Sequence, residues 1–146
     1  MDVLNPILAI DYGDKRFGLA ISDNKGLIAS PLKVLEITKN RGQEELIKDM
    51  LEIIEEYKIK SILIGKPQMF EKQYEKTLKK IDKFVTNLSS QTSLPLLFQD
   101  ESYSTTQAQN MLLSLGQSSK SSKGKIDMIS ATVFLQDFLN SVNSNK

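Results

Sequence analysis

From Gln43 to Glu101 the apolar residues switch between a helical and a strand period, and that alternation restricts the chain to a sheet containing parallel strands. Leu46, Met50, Ile53, Ile54 and Tyr57 fall on one helical face, which predicts an amphipathic helix over Gln43 to Tyr57. Ser61-Ile62-Leu63-Ile64-Gly65 is a short continuous apolar run and predicts a buried strand. Tyr74, Leu78, Ile81, Val85 and Leu88 return to the helical spacing, and Leu94 to Phe98 predict a further strand ending at Gln99-Asp100-Glu101. Helices inserted between successive strands act as crossovers, which join strands in parallel.

The N-terminal part reads differently. Ile7-Leu8-Ala9-Ile10 and Gly18-Leu19-Ala20-Ile21 are apolar runs separated by the turn-prone Gly13-Asp14-Lys15-Arg16, the pattern of an antiparallel hairpin. Leu27-Ile28-Ala29 and Leu32 to Ile37 supply a third strand, with Pro31 marking an edge position or a bulge. Ser104-Thr105-Thr106-Gln107 has the form of a capping box, so a helix is expected from about Thr105 to a stop at Gly116. Gln117 to Lys125 holds four Ser, three Lys and one Gly with no acid, which reads as a flexible basic loop before a last helix from about Ile126 to Phe138 or Asn140. The expected fold is α/β: a mixed sheet of antiparallel hairpin strands plus parallel strands, flanked by helices. With 146 residues, 40% of them hydrophobic, a single domain over 1–146 is expected.

Composition narrows the chemistry. The chain has no Cys and no His, which excludes disulfides, thiolate zinc sites, Cys nucleophiles and every His-containing triad. Nineteen Lys and Arg against eighteen Asp and Glu give a formal net charge of +1, which decides little about partners. Neither a signal peptide nor a membrane span fits the N-terminal residues, so a cytoplasmic protein is expected.

The acids carry more information. Asp11 follows an apolar strand directly and Glu101 stands where another ends, and in open parallel sheets ligands bind in the crevice outside the strands' carboxyl ends. Asp127, Ala131, Phe134 and Phe138 share one helical face, so an acid heads a core-facing stripe. Such a carboxylate should be paired, exposed at the helix end, or bound to metal, because burying it alone costs several kcal/mol. The blander readings are acids ending strands at solvent and an Asp complementing a helix dipole. Three converging carboxylates without His or Cys suit hard divalent ions, Mg²⁺ first and Mn²⁺ as a substitute.

The segment Asp11-Tyr12-Gly13-Asp14-Lys15-Arg16-Phe17-Gly18-Leu19-Ala20-Ile21-Ser22-Asp23 resembles the opening motif of the YqgF family, also called RuvX. Ile64-Gly65-Lys66-Pro67, Asp100 to Thr105, and Lys125-Ile126-Asp127 through Ala131 and Leu135-Gln136 follow in that family's order. The resemblance implies a ribonuclease H-like fold, a metal-dependent nuclease with Asp11, Glu101 and Asp127 as catalytic carboxylates and metal ligands, and a role in maturing pre-16S ribosomal RNA. Holliday junction cleavage is the older assignment, and a non-catalytic nucleic-acid-binding assembly protein is a further alternative. Two segments depart from the family: Ser102 stands where it has Arg, and Gln68 to Gln73 replace a polar, Gly-containing turn.

Lys15 and Arg16 beside Asp11, and Lys123 and Lys125 before Asp127, are candidate nucleic-acid contacts, since cations there would hold a phosphate backbone without reading bases. Structured RNA is the favoured partner and branched DNA the alternative. Asp14, Asp23 and Asp100 are further acids near the site and are not assigned as ligands. Tyr12 either stacks on a base or packs against a strand. The oligomeric state is left open, a homodimer included.

Overall fold

The computed structural model describes residues 4–13, 15–66, 73–100 and 123–144, with the backbone alone at 66, 73–75, 77, 100 and 123–127. The elements are β1 (Ile7–Asp11), β2 (Arg16–Ser22), β3 (Ala29–Glu36), α1 (Gln43–Glu56), β4 (Ser61–Lys66), α2 (Gln73–Ser89), β5 (Leu96–Asp100) and α3 (Lys123–Ser144). They build a sheet of order β3-β2-β1-β4-β5. The hairpin pairs β1–β2 and β2–β3 are antiparallel, whereas β1–β4 and β4–β5 are parallel, as the two kinds of connection require.

β1 is central, and alternation of its side chains feeds two cores. Leu8 and Ile10, with Phe17, Leu19, Ile62 and Ile64, pack against Leu46, Ile47, Met50 and Ile53 of α1 and Phe84 and Leu88 of α2. Ile7 and Ala9, with Ala20 and Leu63, meet Ala131, Phe134, Leu135 and Leu139 of α3 on the other face. Covered on both sides, Ile7 to Ile10 are fully buried, which is why that strand reads as a continuous apolar run.

The other elements show how local chemistry sets the ends. At the start of α1 a Glu45 carboxylate oxygen accepts the Gly42 N–H at 2.9 Å. At its end Lys58 adopts a left-handed φ of 55°, letting the Ile59 N–H donate to the Ile54 carbonyl at 2.9 Å before the chain enters β4. β3 is an edge strand carrying Pro31, and its register slips between Leu19, opposite Lys33, and Ala20, opposite Pro31, so Leu32 is the bulged residue. Both readings of Pro31 therefore apply, and the proline, the bulge and the exposed Lys33 discourage a further strand from adding there.

Three details differ from the sequence reading. The buried faces of α1 and α2 are rotated toward Ile47 and Phe84, both fully buried, while Tyr57 is exposed and Leu78, Ile54 and Val85 are half-buried. α3 begins at Lys123 and ends at Ser144, so Lys123 to Lys125 lie in a helix and not in a basic loop. Lys is a good helix former, and tertiary bonds from Asn143 hold the far end beyond Asn140. The helix expected from Thr105 to Gly116 lies outside the described residues. Among the described residues no helix is long and apolar enough to cross a membrane.

Candidate active site

Since β1, β4 and β5 are parallel, their carboxyl ends lie along one edge of the sheet. Asp11 is level with Gly18 on β2 and with Gly65 on β4, and Gly65 is level with Gln99 on β5. By strand alternation Asp11 continues the Ile7–Ala9 series and faces the α3 side. Neighbouring strands stand about 4.8 Å apart, close enough for a lateral side chain to crowd the carboxylate. Here both lateral neighbours are glycine, so the half-buried Asp11 sits at the end of the central strand with no side chain on either flank at its level.

Tyr12, one residue on, belongs to the opposite face. Its ring centroid lies 5.1 Å from that of Phe17 and 5.5 Å from that of Phe84, and Phe17 and Phe84 are 5.0 Å apart, all tilted. Tyr12 thus packs rather than presenting its ring for stacking, and it ties the chain after Asp11 to the α1–α2 core. The turn that follows is tight, since a Cβ at Gly13 would stand 2.5 Å from the Arg16 carbonyl oxygen. The Ile37 N–H donates to the Lys15 carbonyl at 2.8 Å, fastening the turn to the end of β3 with Lys15 exposed and Arg16 half-buried.

Of the three predicted acids, Asp11 is the one whose side chain is described. Asp127 lies near the start of α3, as do Lys123 and Lys125, with backbone alone described. Glu101 follows the end of β5 at Asp100 and lies outside the described residues, together with Ser102, Asp14 and the 67–72 segment. Among the described residues no group of three acidic side chains gathers.

Asp23 is not near this edge. It stands at the opposite end of the hairpin, where one carboxylate oxygen accepts the N–H groups of Leu27 at 2.7 Å and Ile28 at 3.2 Å. Those donors, Leu27 foremost, hold its carboxyl below the ordinary value of 3.8. A lowered folded-state pKa means that the charged form stabilises the fold above 3.8 and that this contribution fades as pH falls through the folded value. The urea midpoint of Asp23→Asn should therefore fall below that of the native protein at neutral pH and converge with it in acid. A gap that persists unchanged in acid would contradict this account.

The sequence reading passed over two sets of residues. Gly18 and Gly65 are visible in the motifs, but nothing local shows that they flank Asp11. Gln136 was named only as part of a family segment; its amide accepts the Ala29 N–H at 2.9 Å and donates to the Leu27 carbonyl at 2.9 Å. Asn143 donates to the Gly26 carbonyl at 3.0 Å. These bonds fasten the C-terminal half of α3 to the β2–β3 turn.

Comparison with known proteins adds three findings. A family profile described as "RuvX: Holliday junction resolvase" matches residues 5–141. Relatives named "Putative pre-16S rRNA nuclease" include one from Rickettsia bellii (strain OSU 85-389), 37% identical over 139 residues that cover 94% of this chain and 88% of the relative. Another, from Geobacillus sp. (strain WCH70), is 35% identical and covers 92% of this chain and 97% of its own. Among solved structures, T. thermophilus RuvC in complex with Holliday junction substrate superposes with a TM-score of 0.62 at 12% identity, covering 94% of this chain and 95% of that one. Fowlpox virus resolvase with Holliday junction DNA gives 0.57 at 13% identity, covering 94% and 99%. At such identities the likeness speaks for the fold, which is the expected ribonuclease H-like one.

Proposed function

The chain belongs to the RuvX family, and from that premise we propose that it is a metal-dependent nuclease that processes the 5′ end of pre-16S ribosomal RNA in the cytoplasm. The observation that carries the reading is the half-buried Asp11 at the carboxyl end of the central strand, flanked by Gly18 and Gly65. Glycines at both lateral positions leave room beside the carboxylate for a hydrated cation and the phosphate that comes with it.

Two rulers support Asp127 as a partner. Ala29, held by Gln136, pairs with Ser22; from Ser22 back to Gly18, level with Asp11, is four strand residues, or about 13 Å. From Gln136 back to Asp127 is nine helical residues, also about 13 Å. Glu101, next in the chain after the end of β5, completes the set in this reading. The donors fit the ion: oxygen ligands alone, in a chain without His or Cys, favour Mg²⁺, with Mn²⁺ able to replace it. Bound there, such ions supply hydroxide from water and stabilise the leaving oxygen. The protein's own part is to fix the carboxylates at the end of a rigid sheet and to hold the nucleic-acid backbone with Lys15, Arg16, Lys123 and Lys125.

The test incubates the purified protein with a precursor ribosomal RNA fragment and with a synthetic four-way DNA junction, in Mg²⁺ and in EDTA. Cleavage of the RNA in Mg²⁺, restored by Mn²⁺ and absent in EDTA, is the expected result. Cleavage of the junction alone would favour the resolvase reading that the family description carries. Metal-independent cleavage, or none of either substrate, would overturn the proposal.

A further inference from the structure

The loop between β3 and α1 carries charge that the proposed active site does not use. β3 pairs antiparallel with β2, and β2 with β1, so β3 runs parallel to β1 and its last residue, Glu36, points to the same sheet edge as Asp11. Beyond it the chain forms a narrow turn, closed by the Thr38 N–H donating to the Arg41 carbonyl at 2.9 Å and the Arg41 N–H donating back at 3.2 Å. Lys39 and Asn40 form its tip, and Thr38 to Arg41 are all exposed. Arg41 is ion-paired with Asp49 of α1, which anchors the turn and neutralises that guanidinium. Lys39 has no such partner among the described residues, and neither does Lys15, whose carbonyl receives the N–H of Ile37, the residue just before the turn.

The surrounding acids are accounted for separately. Glu36 lies opposite Arg16 in the β2–β3 ladder, and Glu45 is engaged with the Gly42 N–H. Glu44 and Glu45, in the first turn of α1, set the boundary beyond which an anion is repelled. Between the two acidic positions the segment Ile37 to Gly42 carries Lys39 and Arg41 and no acid.

We infer that the Thr38–Arg41 turn is a phosphate-binding site for double-helical nucleic acid, with Lys39 as its contact and Lys15 as the step between it and Asp11. The inference rests on the nuclease reading above. Two strand spacings from β1 and about four residues beyond the level of Asp11 place the turn roughly 16 Å from that residue. At that distance the site engages the same bound backbone a few nucleotides from the phosphate being cut. A closed turn on an anchored loop suits such a contact, because its cation is presented without a backbone to be ordered on binding.

The experiment uses the full chain and Lys39→Gln, with Lys15→Gln as a second variant. Binding of a 20-base-pair RNA duplex and of a DNA duplex of the same length is measured in EDTA across a salt series, and hydrolysis of bis(p-nitrophenyl) phosphate is measured in Mn²⁺. Loss of one phosphate contact should reduce the slope of log Kd against log salt by about one for both duplexes and weaken binding several-fold. Hydrolysis of the small diester, which cannot reach the turn, should be unchanged in Lys39→Gln, and Lys15→Gln is read by duplex binding alone. An unaltered salt slope in Lys39→Gln would overturn the inference even if the protein is a nuclease, and a native protein that binds neither duplex would overturn both. Duplex binding that depends on Lys39, without diester hydrolysis, would support the phosphate site and count against the nuclease reading alone.

Discussion

Asp11→Asn is expected to lower metal-dependent cleavage by at least about a hundredfold. Removing groups that merely orient a metal's ligands costs about 10–100-fold, and Asp11 is proposed as a ligand itself. Its replacement keeps the shape and one acceptor oxygen but removes the charge that a hard cation requires. No side chain can move in to compensate from beside it, because the adjacent strands carry Gly18 and Gly65 at that level. The measurement is kcat/KM on the substrate that the native protein cleaves, over a Mg²⁺ titration, alongside thermal melting in EDTA. The substitution leaves the buried strand Ile7 to Ile10 untouched, so melting should stay within a few degrees. Activity within about threefold of native would remove Asp11 from the site.

The second large effect lies in the core beneath the same strand end. Phe84→Ala should destabilise the fold by about 3–5 kcal/mol, a large share of the roughly 5–15 kcal/mol that holds a domain together. The side chain is fully buried and its ring contacts both Phe17 and Tyr12. Those rings come from β2 and from the residue after Asp11, so the cavity would open where α2 meets the hairpin. Urea unfolding should show a lower midpoint at unchanged slope. A loss under about 1.5 kcal/mol would mean that Tyr12 and Phe17 collapse into the space, and Phe84 would not be the support described.

Much of this fold was legible because burial wrote itself into spacing. Ile7 to Ile10 read as a strand since both faces are covered, and the α1 and α2 periods were clear enough to imply a parallel sheet. The same periods were too coarse to fix which face turns inward: Phe84 and Ile47 lie next to the predicted stripes, and the sheet decided between them and Val85 or Ile54. Pro31 signalled an edge and a bulge because proline's missing N–H has few tolerated places in a sheet. Asp11 was proposed from position and motif, but its glycine neighbours were not foreseen, because the β1–β4 register is a pairing over more than fifty residues that no local pattern records. Asp23 misled for a related reason, since nearness in sequence to the motif concealed that β2 carries it to the other end of the hairpin. Lys123 and Lys125 were read as loop from composition, whereas α3 extends through them, in keeping with the helix propensity of Lys.

The turn around Gly26 gathers more than the end of α3. Asn143 bonds its carbonyl, and the Asn5 side chain lies so close that a Cβ on Gly26 would stand 2.5 Å from it. The path from residue 5 to residue 143 therefore closes into a loop whose two ends meet at one clasp, on the side of the sheet away from Asp11. An affinity handle or fluorescent label attached at either residue would sit on that far side, away from the sheet edge that carries Asp11.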